Sequence, residues 1–164
     1  MINRTDFTDH EWKQLEDLPI IIGSGIVAIS RSGAIGKIKE AMSLISGPRE
    51  AAKQFPANQL IQELLSSEGT KSSQEEDHEK VLFVNDPAQV TGFLMERCRE
   101  VVTILDSKVS VEEANDYKRW IVASAEHVAN TSKSGGFLGF GGKHIDDREA
   151  QFLQTLRETL GISA

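Results

Sequence analysis

The chain has 164 residues and a formal net charge of −7, so its length suits one domain with a sizeable core. Its acidic balance disfavours nucleic acid and anionic membranes as partners, because both require clusters of Lys and Arg. A single cysteine, Cys98, excludes an internal disulfide framework and indicates a buried thiol in a reducing compartment. The sequence shows no leader pattern and no apolar run long enough to span a bilayer. We therefore expect a cytoplasmic protein with no transmembrane segment.

The first thirty residues predict two helices. A Thr-x-x-Glu capping box at Thr8 opens a short helix, which we expect to end near Pro19. The next run, 20–29, is almost entirely apolar or small, which indicates a helix buried on all sides. Within it, Gly23 and Gly25 would let a neighbouring helix approach closely.

Helical spacing of apolar residues continues to about residue 66. An amphipathic helix is predicted to begin near residue 35 and to end at the Gly-Pro pair 47–48. Two short helices are predicted at 49–54 and 57–66. The segment 66–80 is polar and acidic without periodicity, so we expect a mobile linker there.

Three further helices are predicted in the second half. Asp86 is placed to cap a long helix that starts with proline and runs to about Asp106, and Ser110 opens the next helix with a capping box. Asp146 opens the last helix with a third such box, and Gly161 ends it. The prediction is an all-α bundle of about seven helices in one domain, 1–164.

An internal repeat is one interpretation of two similar stretches. Residues 27–33 (Val-Ala-Ile-Ser-Arg-Ser-Gly) resemble 128–135 (Val-Ala-Asn-Thr-Ser-Lys-Ser-Gly), and each stretch joins a helix of small residues to an amphipathic helix. Two related helical hairpins would then face each other in one core. The other interpretation is chance similarity between two sequences rich in Ser, Gly and Ala.

Glycines dominate the segment 135–142, which also carries Phe137, Leu138 and Phe140. Glycine favours a sharply turning connection over a helix. The three apolar side chains either fold back between the flanking helices as a structural plug or form an exposed patch for a protein partner or a second copy of the chain.

Motifs for enzymatic chemistry are weak throughout. Gly23, Ser24 and Gly25 begin a dinucleotide-type pattern, but no second strand ending in an acidic residue follows. The 135–142 loop lacks the first glycine of a phosphate loop and has His144 where Ser or Thr belongs. The four histidines show no metal-ligand spacing. A small-ligand binder or enzyme that uses 23–25 or 135–142 remains the alternative function, and a pocket lined by Glu126, His127 and His144 would favour it.

The segment 121–161 resembles the tellurite-resistance TerB-like family. The residues that carry the resemblance are Ala125, Val128, Ala129, Glu149, Leu153, Leu156, Leu160 and Gly161, with a weaker echo at Val27, Ala28, Gly33 and Glu40. The resemblance implies an all-α bundle of two related halves. It also implies a non-enzymatic module in a tellurite-resistance or stress-response assembly that acts by binding a partner or a metal ion.

The resemblance further implies acidic ligands for a divalent ion. The residues available for that role are Asp146, Asp147, Glu149 and Glu40. Ser-Gly pairs stand at 32–33 and 134–135, where family members commonly have Asp-Gly, so each half offers fewer oxygen ligands than a hard cation prefers.

Overall fold

The computed structural model describes residues 2–30, 34–67, 86–131 and 145–163, and of 34–42 it describes the backbone alone. All regular structure in these ranges is helical. A short 3-10 helix, Arg4–Asp6, precedes six α-helices: α1 (Asp9–Ile29), α2 (Ala34–Ala52), α3 (Gln59–Ser67), α4 (Pro87–Lys108), α5 (Val111–Thr131) and α6 (Asp147–Leu160). The predicted all-α class is therefore confirmed, whereas the count in the described ranges is six helices and not seven.

Side chains predicted to cap the helices do so. The Thr8 hydroxyl accepts a hydrogen bond from the Glu11 backbone N–H at the start of α1. The Asp86 carboxylate accepts one from the N–H of Ala88, with Pro87 as the first residue of α4. Gly161 ends α6 at φ +70°, in the left-handed region that glycine adopts without a steric penalty.

Helix α1 does not end at Pro19, so that prediction is wrong. The helix runs through the proline to Ile29. Proline has no backbone N–H, so in a helix it leaves the carbonyl four residues earlier, here that of Leu15, without its usual donor. The Tyr117 hydroxyl of α5 donates to that carbonyl at 2.7 Å, and both groups are buried. A tertiary hydrogen bond from Tyr117 thus replaces the backbone donor that the proline lacks.

Helix α2 likewise continues through Gly47 and Pro48, which contradicts the predicted end at 47–48. The predicted short helix at 49–54 is in part the last turn of α2, and α3 begins at Gln59. A methyl group at Gly47 would lie 3.4 Å from the Ser124 carbonyl oxygen, so glycine allows α2 to pack closely on α5. The indole N–H of Trp120 donates to the Pro48 carbonyl at 2.7 Å.

Helix α1 lies at the centre of the bundle, where it packs against α2, α4, α5 and α6. A Cβ at Gly23 would lie 2.6 Å from the Leu44 side chain of α2, and one at Gly25 would overlap the Leu94 side chain of α4. The predicted close approach at these two glycines is confirmed. The core that surrounds them includes fully buried residues from five helices, among them Leu15, Ile22, Leu60, Leu94, Ile121 and Leu156.

The predicted mobile linker, 66–80, lies mostly outside the described residues. Its first two residues, Ser66 and Ser67, belong to α3, and the Ser67 hydroxyl donates to the Glu16 carboxylate at 2.8 Å. None of the helices in the described ranges has the length and hydropathy needed to cross a membrane.

Candidate functional site

The acidic residues predicted as metal ligands stand at the start of α6, where they cap the helix. One Asp146 oxygen accepts hydrogen bonds from the backbone N–H groups of Arg148 and Glu149, both at 2.9 Å. One Glu149 oxygen accepts from the Asp146 N–H at 3.0 Å, and Glu149 is fully buried. Asp147 is exposed in the first turn. These bonds satisfy N–H groups that would otherwise have no partner in the helix.

A hard cation requires several oxygen ligands that converge on one point. The capping bonds use one oxygen of Asp146 and one of Glu149, so both carboxylates already serve as the cap of α6. Glu40 lies in α2, and its side chain is outside the described atoms. Within the described ranges, no group of three or more His, Cys, Asp or Glu side chains could hold a metal ion. Metal binding stays a prediction.

Gly23, Ser24 and Gly25 lie inside α1 and face its neighbours. The Ser24 side chain is fully buried, and its hydroxyl donates to the Ile20 carbonyl at 2.8 Å. Since a Cβ at either glycine would collide with a leucine, these residues provide close helix packing. The other segment considered for a ligand, 135–142 with Phe137, Leu138 and Phe140, lies outside the described residues.

A pocket shared by Glu126, His127 and His144 would favour an enzyme. Of these three residues the structure describes Glu126 and His127, and they have different neighbours. The Glu126 carboxylate pairs with the Arg157 guanidinium and borders a shallow depression beside α6. The His127 ring lies near Gly47 of α2. His144 lies outside the described residues.

Cys98 has the environment of a core residue. Its side chain is fully buried in α4, and burial raises the pKa of its thiol to about 12. The reactive species of cysteine is the thiolate, which a raised pKa disfavours at neutral pH. The interpretation of Cys98 as a buried thiol agrees with this environment.

A groove of about 720 Å³ opens between the end of α1 and the helices α4 and α6. Its floor contains nearly buried apolar side chains, and its rim contains two exposed arginines from different helices. We call it the arginine groove and define it by Ile29, Thr91, Met95, Arg99, Arg148 and Phe152.

The two rim arginines differ from the other arginines in the part of the chain that the structure describes. Arg99 and Arg148 have no side-chain ion pair or hydrogen bond with any residue there, whereas each other described arginine has a partner. The side-chain pairs with defined geometry are Arg4–Asp9, Arg97–Glu100, Arg119–Asp116 and Arg157–Glu126. Arg99 and Arg148 thus border the same groove, although the chain as a whole has an acidic excess.

Sequence reasoning did not find this groove. In the sequence, Arg148 stands among the polar residues of an amphipathic helix, where a charged residue is ordinarily a solvated one. Arg99 and Arg148 are far apart in the chain, and only the packing of α4 against α6 brings them to one groove. No sequence pattern near either arginine predicts that the two helices pack together.

Comparisons of this chain with family models, with curated proteins and with solved structures find no match. The resemblance to the TerB-like family therefore rests on the sequence pattern in 121–161 and stays a prediction.

Proposed function

We propose that this chain is a non-enzymatic helical module of the TerB-like type, which serves a tellurite-resistance or stress-response assembly by binding a protein partner. The observation that carries the proposal is the arginine groove, an open concavity between three helices whose two rim arginines have no ion pair in the described ranges. A charged group without an intramolecular partner at a concave surface is available for an intermolecular one.

The packed core supports a binding module over an enzyme. The 23–25 segment that could have held a small ligand is filled by Leu44 and Leu94 side chains. The buried Cys98 and Tyr117 both have raised pKa values because burial disfavours their charged forms, and neither lines the groove. An enzyme or small-ligand binder built on 135–142 stays the alternative.

We include in the proposal that α1–α2 and α5–α6 are the two related hairpins of a TerB-like bundle. Support comes from the packing of each pair and from the contact of α2 with α5 between them. A divalent ion, which the resemblance also implies, does not enter the proposed mechanism because Asp146 and Glu149 are used for capping.

Deletion of the gene from its own host tests the biological part of the proposal. We expect the deletion strain to grow only at lower tellurite concentrations than its parent tolerates, and we expect the wild-type chain to restore growth. A chain carrying Arg99→Glu and Arg148→Glu should fail to restore it.

The matched control is a chain with Lys53→Glu and Arg119→Glu, which has the same net charge as the groove variant and changes two exposed residues that do not line the groove. This control should restore growth. Unchanged tellurite tolerance in the deletion strain would contradict the tellurite-resistance assignment, and full rescue by the groove variant would show that the partner does not use the groove.

A further inference from the structure

If the chain is a binding module as proposed above, the residues of the groove indicate the chemical class of its partner. We propose that the arginine groove binds a peptide segment of a partner protein that carries two or more carboxylate side chains beside a small apolar anchor. The segment would lie between α4 and α6, with its carboxylates at Arg99 and Arg148 and its apolar side chain over Met95 and Phe152.

Charge complementarity selects the carboxylates. Guanidinium groups bind carboxylates with two parallel hydrogen bonds, and this geometry adds direction to the charge attraction. Arg99 and Arg148 supply two such groups from separate helices, with no described acidic side chain paired to either. The first turns of α4 and α6 also border the groove, where the capping carboxylates of Asp86 and Asp146 offset the positive ends of the two helix dipoles.

The net charge of −7 does not override this local attraction. At physiological ionic strength the screening length is about 8 Å, so charges elsewhere on the molecule act weakly at the groove. The carboxylate that borders the groove is Asp86, and it accepts the Ala88 N–H as the α4 cap. Arg99 and Arg148 therefore supply the positive charge that a docking segment meets at the groove.

The shape of the groove limits the apolar part of the segment. Ile29, Met95 and Phe152 form the floor, and each is at most 3% exposed, so little apolar surface is left for a partner to cover. The Thr91 hydroxyl donates to the Pro87 carbonyl of its own helix. A segment with one small apolar anchor fits this floor, whereas a long hydrophobic helix does not.

The chain itself contains the same chemistry in the acidic run 75–79 (Glu-Glu-Asp-His-Glu), which precedes the groove residue Asp86 by a few residues. A tethered segment competes at an effective concentration on the order of millimolar. Occupation of the groove by this run is therefore the competing assignment, and the experiment has to separate it from an intermolecular partner.

Fluorescence anisotropy on the full chain tests the proposal with a labelled short peptide of Glu, Ala and Leu. The control peptide has every Glu replaced by Gln. We expect saturable binding of the Glu peptide, loss of affinity by at least about tenfold in the R99E/R148E variant, and a change of less than about twofold in the K53E/R119E variant. Circular dichroism should show the same helix content for all variants, because all four substituted residues are exposed.

The proposal is overturned by equal affinity for the Gln peptide, by equal weakening in the control variant, or by no binding to any form of the chain. The variant E75Q/E76Q/D77N/E79Q identifies the competing occupant. If the peptide binds this variant and not the wild type, the groove belongs to the chain's own acidic run and the intermolecular assignment is wrong. Peptide binding does not depend on tellurite, so a normal tellurite phenotype would leave this result intact.

Discussion

The hydrogen bond between the Tyr117 hydroxyl and the Leu15 carbonyl gives a sharp test of how α1 tolerates its proline. Changing Tyr117 to Phe removes only the hydroxyl from a fully buried ring. The Leu15 carbonyl then has neither a helical donor, because residue 19 is proline, nor its tertiary donor. Leaving a buried acceptor unsatisfied costs about 1–3 kcal/mol. For a chain of this size, each kcal/mol lowers the melting temperature by roughly 2–4 °C.

A double-mutant cycle with Pro19→Ala isolates the cause. Alanine at position 19 restores an N–H that can donate to the Leu15 carbonyl, so Tyr117→Phe should cost clearly less in this background. We expect a coupling of about 1 kcal/mol, above the roughly 0.3–0.5 kcal/mol expected for independent sites. Urea unfolding, followed by circular dichroism, measures all four variants. If Tyr117→Phe is equally costly in the parent chain and in the Pro19→Ala background, the compensation argument is wrong.

Three further predictions concern the core, the pH dependence and the thiol. Gly25→Ala should lower the free energy of unfolding by about 1–3 kcal/mol because the added methyl overlaps a buried leucine. Gly92→Ala should raise it by about 0.5–1 kcal/mol because a Cβ there meets nothing within 4 Å. Urea unfolding measures both changes, and the same sign for the two would contradict this prediction. Hydrogen bonding from Lys108, followed by that from the Thr8 backbone, lowers the pKa of Glu11 from 4.5 to about 2, so its contribution to stability is complete above pH 4.5 and is lost as the pH falls toward 2. Glu11→Gln should therefore lower the melting temperature at neutral pH and flatten its fall across that interval; a melting curve series with an unchanged slope would argue against it. The Cys98 thiol, with its pKa raised to about 12, should react with iodoacetamide only after denaturant is added, and rapid labelling of the native chain would refute its burial.

The parts of the fold that could be predicted from sequence are those decided by residues close together in the chain. The caps at Thr8, Asp86 and Asp146 depend on contacts within three residues, and all three form as expected. The burial of eight of the ten residues in 20–29 follows from the apolar and small composition of this run, whereas Ile20 and Ala28 are partly exposed. Local chemistry also explains why Gly161 ends α6.

The errors occurred where a distant residue changes the meaning of a local signal. Pro19 and Pro48 are ordinarily helix breakers, and each was predicted to mark a helix boundary. In the structure, Tyr117 and Trp120 of α5 donate to main-chain carbonyls of the two proline-containing helices, at Leu15 and at Pro48 itself. The Tyr117 bond replaces the donor that Pro19 lacks and spans 102 residues, so the sequence around Pro19 does not reveal it. The Trp120 bond spans 72 residues and ties α2 to α5 at Pro48.

The same features of α5 bear on the candidate site. Tyr117 and Trp120 stand in edge-to-face contact, with ring centroids 5.4 Å apart, and together they tie α5 to α1 and α2. Because α1 continues past Pro19, its last ten residues carry the chain about 15 Å further along the axis. That extension brings Ile29 to the floor of the arginine groove, between α4 and α6. A helix that ended at Pro19 would not bring Ile29 to this position. The groove therefore includes Ile29 only because α1 continues past its proline, at the point where the Tyr117 hydroxyl satisfies the Leu15 carbonyl.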